Sequence, residues 1–207
     1  MSKVLHLDTS IQTSNSVSRR LSAAIVEKIK ASHKELEIAY RDLAAHPLPH
    51  LTETIFASFQ SSDVSWLTPA QQADAFDSAS VLAEFLAADT VVIGVAFYNY
   101  SIPSSLKAWI DRVVVAGKTF NYGADGPVGY AGGKRVIVAI ARAGVFADGT
   151  PFAQREHAER YLRDIFSLIG INEIDVVVAE GLAFGPEAST AAVEGAMKRI
   201  DALSAAI

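Results

Sequence analysis

Short blocks of apolar and β-branched residues alternate along the chain with longer stretches in which apolar residues recur every three or four positions. Lys3 to Asp8 is a short apolar run that ends in a polar cluster, the pattern of a first strand. Ser16 to Ala31 has helical spacing, with Leu21, Ile25 and Ile29 on one face. Leu36 to Asp42 reads as a second strand, followed by a loop containing Pro47 and Pro49. Thr68-Pro69-Ala70-Gln71 predicts a helix start: the threonine caps, proline takes the first helical position, and glutamine completes a capping box. That helix should run to about Ala88. Thr90 to Ala96 is unbroken in its apolar character, as in a strand covered on both faces. A helix from near Pro103 to about Val115, a strand from Arg135 to Ala141, and a helix from Phe152 to Ile169 stopped by Gly170 follow. Ile174 to Ala179 is a fifth strand, and Glu187 onward a last helix.

Strands alternating with helices imply right-handed βαβ crossovers and a parallel sheet with helices on both faces. Five strands favour the order 2-1-3-4-5 and one domain over residues 1–207. Ligands of such sheets sit at the carboxyl ends of the strands, near the reversal in strand order. Three loops should therefore converge: Thr9–Ser18, Phe97–Pro103 and Arg142–Thr150.

Composition narrows the chemistry. The formal net charge of −5 argues against a sequence-independent nucleic-acid binder, which needs a basic face. With no cysteine there is no disulfide framework, thiolate nucleophile or Cys-ligated metal site. His46 and His50 are four apart, but Pro47 and Pro49 intervene, so no metal is expected. The N-terminus runs straight into the first strand pattern, and the longest apolar run, Val91 to Tyr98, is far shorter than a membrane span. A cytoplasmic chain with no membrane partner is the expectation. Gly117-Lys118-Thr119 imitates the end of a phosphate loop, but Arg112 stands where the upstream glycine is required.

The loop from Asp8 to Ser18 carries hydroxyls and no glycine. At the entrance to a helix this suits a phosphate monoester, which gains from free backbone N–H groups, the helix dipole and neutral hydroxyl donors. The alternative is an ordinary polar loop with an N-cap at Ser16 or Ser18. Phe97-Tyr98-Asn99-Tyr100 places three aromatics and an amide at a strand end, where a flat heteroaromatic ring could stack or a core cluster could simply cover the sheet. Ala141-Arg142-Ala143-Gly144 offers a cation or backbone N–H groups to one edge of such a ring. Thr119 to Gly133 reads as a long irregular stretch in which Phe120 and Tyr122 either wall a pocket or pack beneath the loop.

Several stretches together resemble the FMN-dependent NADH-azoreductase and quinone-reductase family of flavodoxin-like proteins over nearly the whole chain. They are Met1–Leu5, Arg41–Pro47, Leu67–Gln72, Tyr98–Ile102, Leu106-Lys107, Ala116–Phe120 and Asn172–Pro186. The resemblance implies an α/β flavodoxin-like three-layer sandwich and a homodimer with FMN at the subunit interface. By the same likeness, Ser10, Ser16, Val17 and Ser18 match phosphate-contacting positions, and Phe97, Tyr98, Asn99 and Tyr100 the flavin-ring loop. Ala141, Arg142, Ala143 and Gly144 match the stretch at the pyrimidine edge, and Phe120 an aromatic on the substrate side. The sequence departs from the family at Ala96-Phe97, where Pro-Met is usual, and at Ala141 and Ala143, where serine and glycine are usual. Phe146 stands where a histidine is often found. If the Ala143 position required a positive φ, its Cβ would be strained.

The implied activity is a ping-pong transfer of electron pairs from NADH or NADPH, through FMN, to quinone or azo acceptors. No catalytic side chain is assigned; Phe120 and Tyr122 are candidates for the acceptor and nicotinamide side. The alternative is a flavodoxin-type electron carrier that does not oxidise a nicotinamide directly.

Overall fold

A computed structural model describes residues 1–33, 35–61 and 63–206. Five strands form one parallel sheet: β1 (Ser2–Asp8), β2 (Leu36–Asp42), β3 (Thr90–Ala96), β6 (Arg135–Ala141) and β7 (Ile174–Ala179). A separate antiparallel hairpin pairs β4 (Phe120–Gly123) with β5 (Gly126–Gly129). The helices are α1 (Val17–Ser32), α2 (Glu53–Ser58), α3 (Pro69–Ala87), α4 (Ser104–Val113), α5 (Ala158–Leu168) and α6 (Pro186–Ala202). The sheet order is β2-β1-β3-β6-β7, the expected 2-1-3-4-5 among the five parallel strands.

Alternation along β3 divides the core. Val91, Ile93 and Val95 meet Val81 and Phe85 of α3, Trp109 of α4 and Phe166 of α5. Val92, with Ile137 of β6 and Val177 of β7, meets Leu21 and Ile25 of α1 and Ile200 of α6. Gly94 brings α1 close to the sheet: a Cβ there would stand 2.6 Å from Asp8 Oδ1 and 3.1 Å from the Ser18 carbonyl. The strand ends are level, with Ala96 opposite Ala141 and Ala141 opposite Ala179, so the loops leaving them start side by side.

The strong patterns form as expected. The α3 capping box is complete, with Gln71 N–H donating to Thr68 Oγ1 and Thr68 N–H to Gln71 Oε1. Three segments differ. The loop after β2 contains α2, whose six residues are too few to display a helical period. The Gly-rich stretch is not wholly irregular: its first part folds as the β4–β5 hairpin, closed by a turn at Ala124-Asp125 between the paired Gly123 and Gly126, the latter at φ 119°. The helix expected from Phe152 to Ile169 is broken into a 3₁₀ turn (Ala153–Arg155) and α5. The break is at Glu156, whose carboxylate leaves the helical path to accept from the Ala158 and Glu159 N–H groups at 3.1 and 3.0 Å. Among the described residues no helix is long and apolar enough to cross a membrane.

Candidate functional site

The loop after β1 turns its hydroxyls inward. Ser10, Ser16 and Ser18 are all buried, although Ile11 to Asn15 between them are exposed. Ser16 is the N-cap of α1, and its Oγ lies 3.2 Å from Ser18 Oγ. These two hydroxyls share one hydrogen bond, which leaves a proton for an external acceptor. The Val17 and Ser18 N–H groups at the start of α1 have no acceptor among the described residues. The Ser16 and Ser18 hydroxyls, the free Val17 and Ser18 N–H groups and the positive end of a 16-residue helix thus gather at one helix entrance, a cradle to which Ser10 is the neighbouring buried hydroxyl.

Beneath it lies an ionic network that holds the loop. Arg19, in the first turn of α1, meets Asp42 at the end of β2 through two parallel bonds of 2.7 and 2.8 Å. The bonds to Arg19 hold the Asp42 carboxyl down at about 2, with the Ala45 and Ala44 N–H groups assisting. Burial would raise the Asp8 carboxyl, but the His6 ring and the Ser22 and Tyr40 hydroxyls more than offset it, leaving Asp8 below its usual range. Burial, with the Asp8 charge added, pushes the Tyr40 phenol up to about 12.

The loop after β3 leans on the cradle. The Tyr98 hydroxyl lies 3.4 Å from Ser10 Oγ and accepts from the Ile11 N–H at 3.3 Å. Tyr98 and Ser101 exchange two backbone hydrogen bonds, 3.1 and 3.0 Å, around a two-residue turn. Asn99 and Tyr100 occupy that turn with φ of 49° and 71°. Positive φ at both central positions is the type I′ geometry, tolerable for asparagine and strained for tyrosine. Such strain persists where the surroundings over-determine it, and it clusters at functional sites. Here Phe146 packs edge-on to Tyr100, the Arg155 Nη1 donates to the Tyr100 hydroxyl at 3.1 Å, and the His157 N–H holds the Tyr100 carbonyl.

The loop after β6 closes the third side. The Phe146 ring packs against Phe97 with centroids 4.9 Å apart. The Arg142 guanidinium is buried beneath Phe97, 5.4 Å from its ring, and surrounded by Glu156, Glu159 and Glu180. Its charge is thus balanced within the chain by three carboxylates, although its Nε and Nη2 have no hydrogen-bond partner among the described residues. The Ala143 and Gly144 N–H groups have no acceptor among the described residues, while their carbonyls are bound by Ala183 and Gly181. Ala143 has no positive φ, so its methyl is unstrained.

Phe120 and Tyr122 are the part of the expected site that one chain does not assemble. Their hairpin is rooted at the other end of the sheet: Gly129 packs on Ile169 and Gly170, beyond the C-terminus of α5. Phe120 is 8% exposed and belongs to the core, with its ring edge-on to the 73%-exposed Tyr122. A groove of about 1040 Å³ also lies at that far end, where Arg135 is already paired with Asp175.

Arg19, Glu156 and Glu180 escaped sequence reasoning, because their partners lie 23, 14 and 38 residues away. The Ala179–Pro186 stretch held the one available signal, and it now shows a local role: its backbone and Glu180 brace the loop after β6.

The residues present fit a phosphate monoester joined to a flat ring: hydroxyl cradle, aromatic turn and free backbone edge lie in sequence across three adjacent strand ends. Comparisons with known proteins agree. The family described as having the flavodoxin-like fold matches residues 2–203. The chain is 50% identical to an FMN-dependent NADH:quinone oxidoreductase of Methylorubrum populi, covering 99% of this chain and 100% of the relative. It is 52% identical to one of Xanthomonas campestris, with 97% and 98% covered. An azoreductase of Bacillus anthracis superposes with a TM-score of 0.83 at 31% identity, over 98% of this chain and all of that one. An FMN-dependent NADH-azoreductase of the same species, in complex with FMN, gives 0.87 at 26%, over 97% and 96%.

Proposed function

Because the chain belongs to the flavodoxin-like family of FMN-dependent NADH:quinone oxidoreductases, we propose that it binds FMN and carries electron pairs from NADH, or NADPH, to quinones, and cleaves azo compounds reductively. Bound FMN supplies the two-electron chemistry. The protein's part is to bind and orient. Ser10, Ser16 and Ser18, with the Val17 and Ser18 N–H groups, hold the phosphate. Phe97, Tyr98, Asn99 and Tyr100 line the ring, and the Ala143 and Gly144 N–H groups meet its pyrimidine edge, where they stabilise negative charge. The observation that carries this reading is the Ser10–Tyr98 contact, which joins the cradle to the strained aromatic turn.

Donor and acceptor would use the same ring face in turn, a ping-pong sequence in a cytoplasmic enzyme. A homodimer fits the exposed aromatics. Tyr100 at the site, and Tyr122 and Tyr130 on or beside the hairpin, are all exposed in one chain. A second copy would bring its hairpin over the open aromatic turn, placing the exposed Tyr122 on the acceptor side with Phe120 packed beneath it.

The test is an absorbance spectrum of the purified protein, then anaerobic addition of NADH, then benzoquinone. A yellow protein that bleaches with NADH and recovers with benzoquinone supports the enzyme. A yellow protein that bleaches only with a partner reductase supports a carrier instead. A colourless protein that takes up no FMN ends both readings.

A further inference from the structure

Arg19 is a cation in direct contact with the loop of the hydroxyl cradle, and its first-turn position invites assignment as a phosphate ligand. Its hydrogen bonds exclude that role. A guanidinium has five N–H donors. Nε donates to the Gln12 carbonyl at 2.9 Å. Nη2 donates to the Ser10 carbonyl at 2.7 Å and to Asp42 Oδ1 at 2.8 Å. Nη1 donates to Asp42 Oδ2 at 2.7 Å and to the Tyr40 hydroxyl at 3.3 Å. All five are spent inside the chain, and the side chain is 14% exposed. None remains for an anion.

The two carbonyls it takes are informative. A trans peptide is planar, with its N–H opposed to its C=O. Pulling the Ser10 and Gln12 carbonyls down onto Arg19 therefore turns the Ile11 and Thr13 N–H groups the other way. The Ile11 N–H accordingly reaches the Tyr98 hydroxyl on the ligand side. The Thr13 N–H has no acceptor among the described residues. The far end of the clamp is rigid: Asp42 is tied to the Ala44 and Ala45 N–H groups at 3.0 Å each.

We propose that Arg19 is a positioning residue for the flavin phosphate: anchored on Asp42, it grips the Ser10 and Gln12 carbonyls and so fixes the loop with the Ile11 N–H on Tyr98 and the Thr13 N–H open to the phosphate. The inference rests on the reading of this loop as the phosphate site. The loop has no glycine, and residues 11–15 are exposed, so their order is imposed from outside. A loop ordered before binding spares the ligand that ordering cost. Lysine cannot replace the arginine, because its ammonium lacks the planar fork that reaches a carboxylate and two carbonyls together.

The test compares FMN with riboflavin, which has the same ring and no phosphate, by fluorescence titration of the full-length protein. Wild type should prefer FMN strongly. Arg19→Lys and Arg19→Met should each bind FMN about tenfold or more weakly while riboflavin affinity stays within about twofold. Asp42→Asn should move the same way by a smaller factor. Full recovery of FMN affinity in Arg19→Lys would show that charge alone matters and overturn the clamp. Equal loss of both flavins, or loss of the folded far-ultraviolet spectrum, would reduce Arg19 to a general stabiliser and overturn it too. Failure of the underlying reading looks different: wild type itself would then bind the two flavins equally.

Discussion

The Tyr98 hydroxyl and the Ser10 Oγ lie 3.4 Å apart, although 88 residues separate them in the chain. The same phenol oxygen accepts the Ile11 N–H. One side chain from the loop after β3 thus sets the edge of the cradle after β1. Tyr98→Phe keeps the ring and removes this link. FMN affinity should fall roughly two- to tenfold, the range of one hydrogen bond, with little change in the thermal midpoint. Fluorescence titration with FMN measures it; unchanged affinity would detach Tyr98 from the phosphate end.

Ser16→Asp tests the cradle by charge. Aspartate caps a helix about as well as serine, so α1 should persist. Its carboxylate would stand where the phosphate is held, and like charges at that distance repel. The variant should purify colourless with a circular dichroism spectrum like wild type. A normal complement of FMN in this variant would remove Ser16 from the site.

The hairpin aromatics should separate stability from turnover. Phe120 is a core residue, so Phe120→Ala should cost about 3–5 kcal/mol in denaturant unfolding. Tyr122 is 73% exposed, and Tyr122→Ala should leave stability within about 0.5 kcal/mol. If a second copy carries this residue to the acceptor side, the same variant should raise KM for benzoquinone without loss of FMN. Unchanged steady-state kinetics would place the hairpin elsewhere.

The Arg19–Asp42 pair predicts an acid-sensitive stability term. Asp42 titrates at about 2 in the folded chain, below the ordinary value of 3.8, mainly because of Arg19. A depressed carboxyl stabilises the fold fully above its unfolded value and loses that contribution as pH falls toward the folded one. The stability advantage of wild type over Asp42→Asn should therefore be constant above about pH 5, shrink as pH falls below that, and be largely lost by about pH 2. Urea unfolding at a series of pH values reads this directly. An advantage independent of pH would mean that Asp42 acts through shape and not charge.

Arg142 sits among three carboxylates and is 3% exposed. Arg142→Met should leave Glu156 buried without its countercharge and cost about 3–5 kcal/mol. Arg142→Met with Glu156→Gln should recover part of that loss, because the stranded charge is gone. A double variant no better than the single one would argue that Arg142 acts by packing under Phe97.

What the chain declared by itself was periodic. β2, β3, β6 and β7 have the bounds that the strand-like pattern predicts, and the Thr68 capping box marks the start of α3 to the residue. From five strands in alternation with helices, the order of the sheet and the convergence of three loops followed from connection rules alone. The hydroxyl-lined entrance of α1 was legible for the same reason: Ser10, Ser16 and Ser18 are close in sequence, and a helix entrance needs only local information.

Only the tertiary structure decided which charges were free. Arg19 and Arg142 look alike in the sequence, as cations at strand or helix ends beside a ligand loop. Arg19 gives its donors to partners that include Asp42, and the Arg142 charge is balanced by Glu156, Glu159 and Glu180. The turn at Asn99-Tyr100 and the break at Glu156 were hidden likewise, because local preference opposes both and packing imposes them. A buried charge must find a countercharge wherever the fold brings one. That partner is a property of distance in space, which periodicity along the chain does not encode.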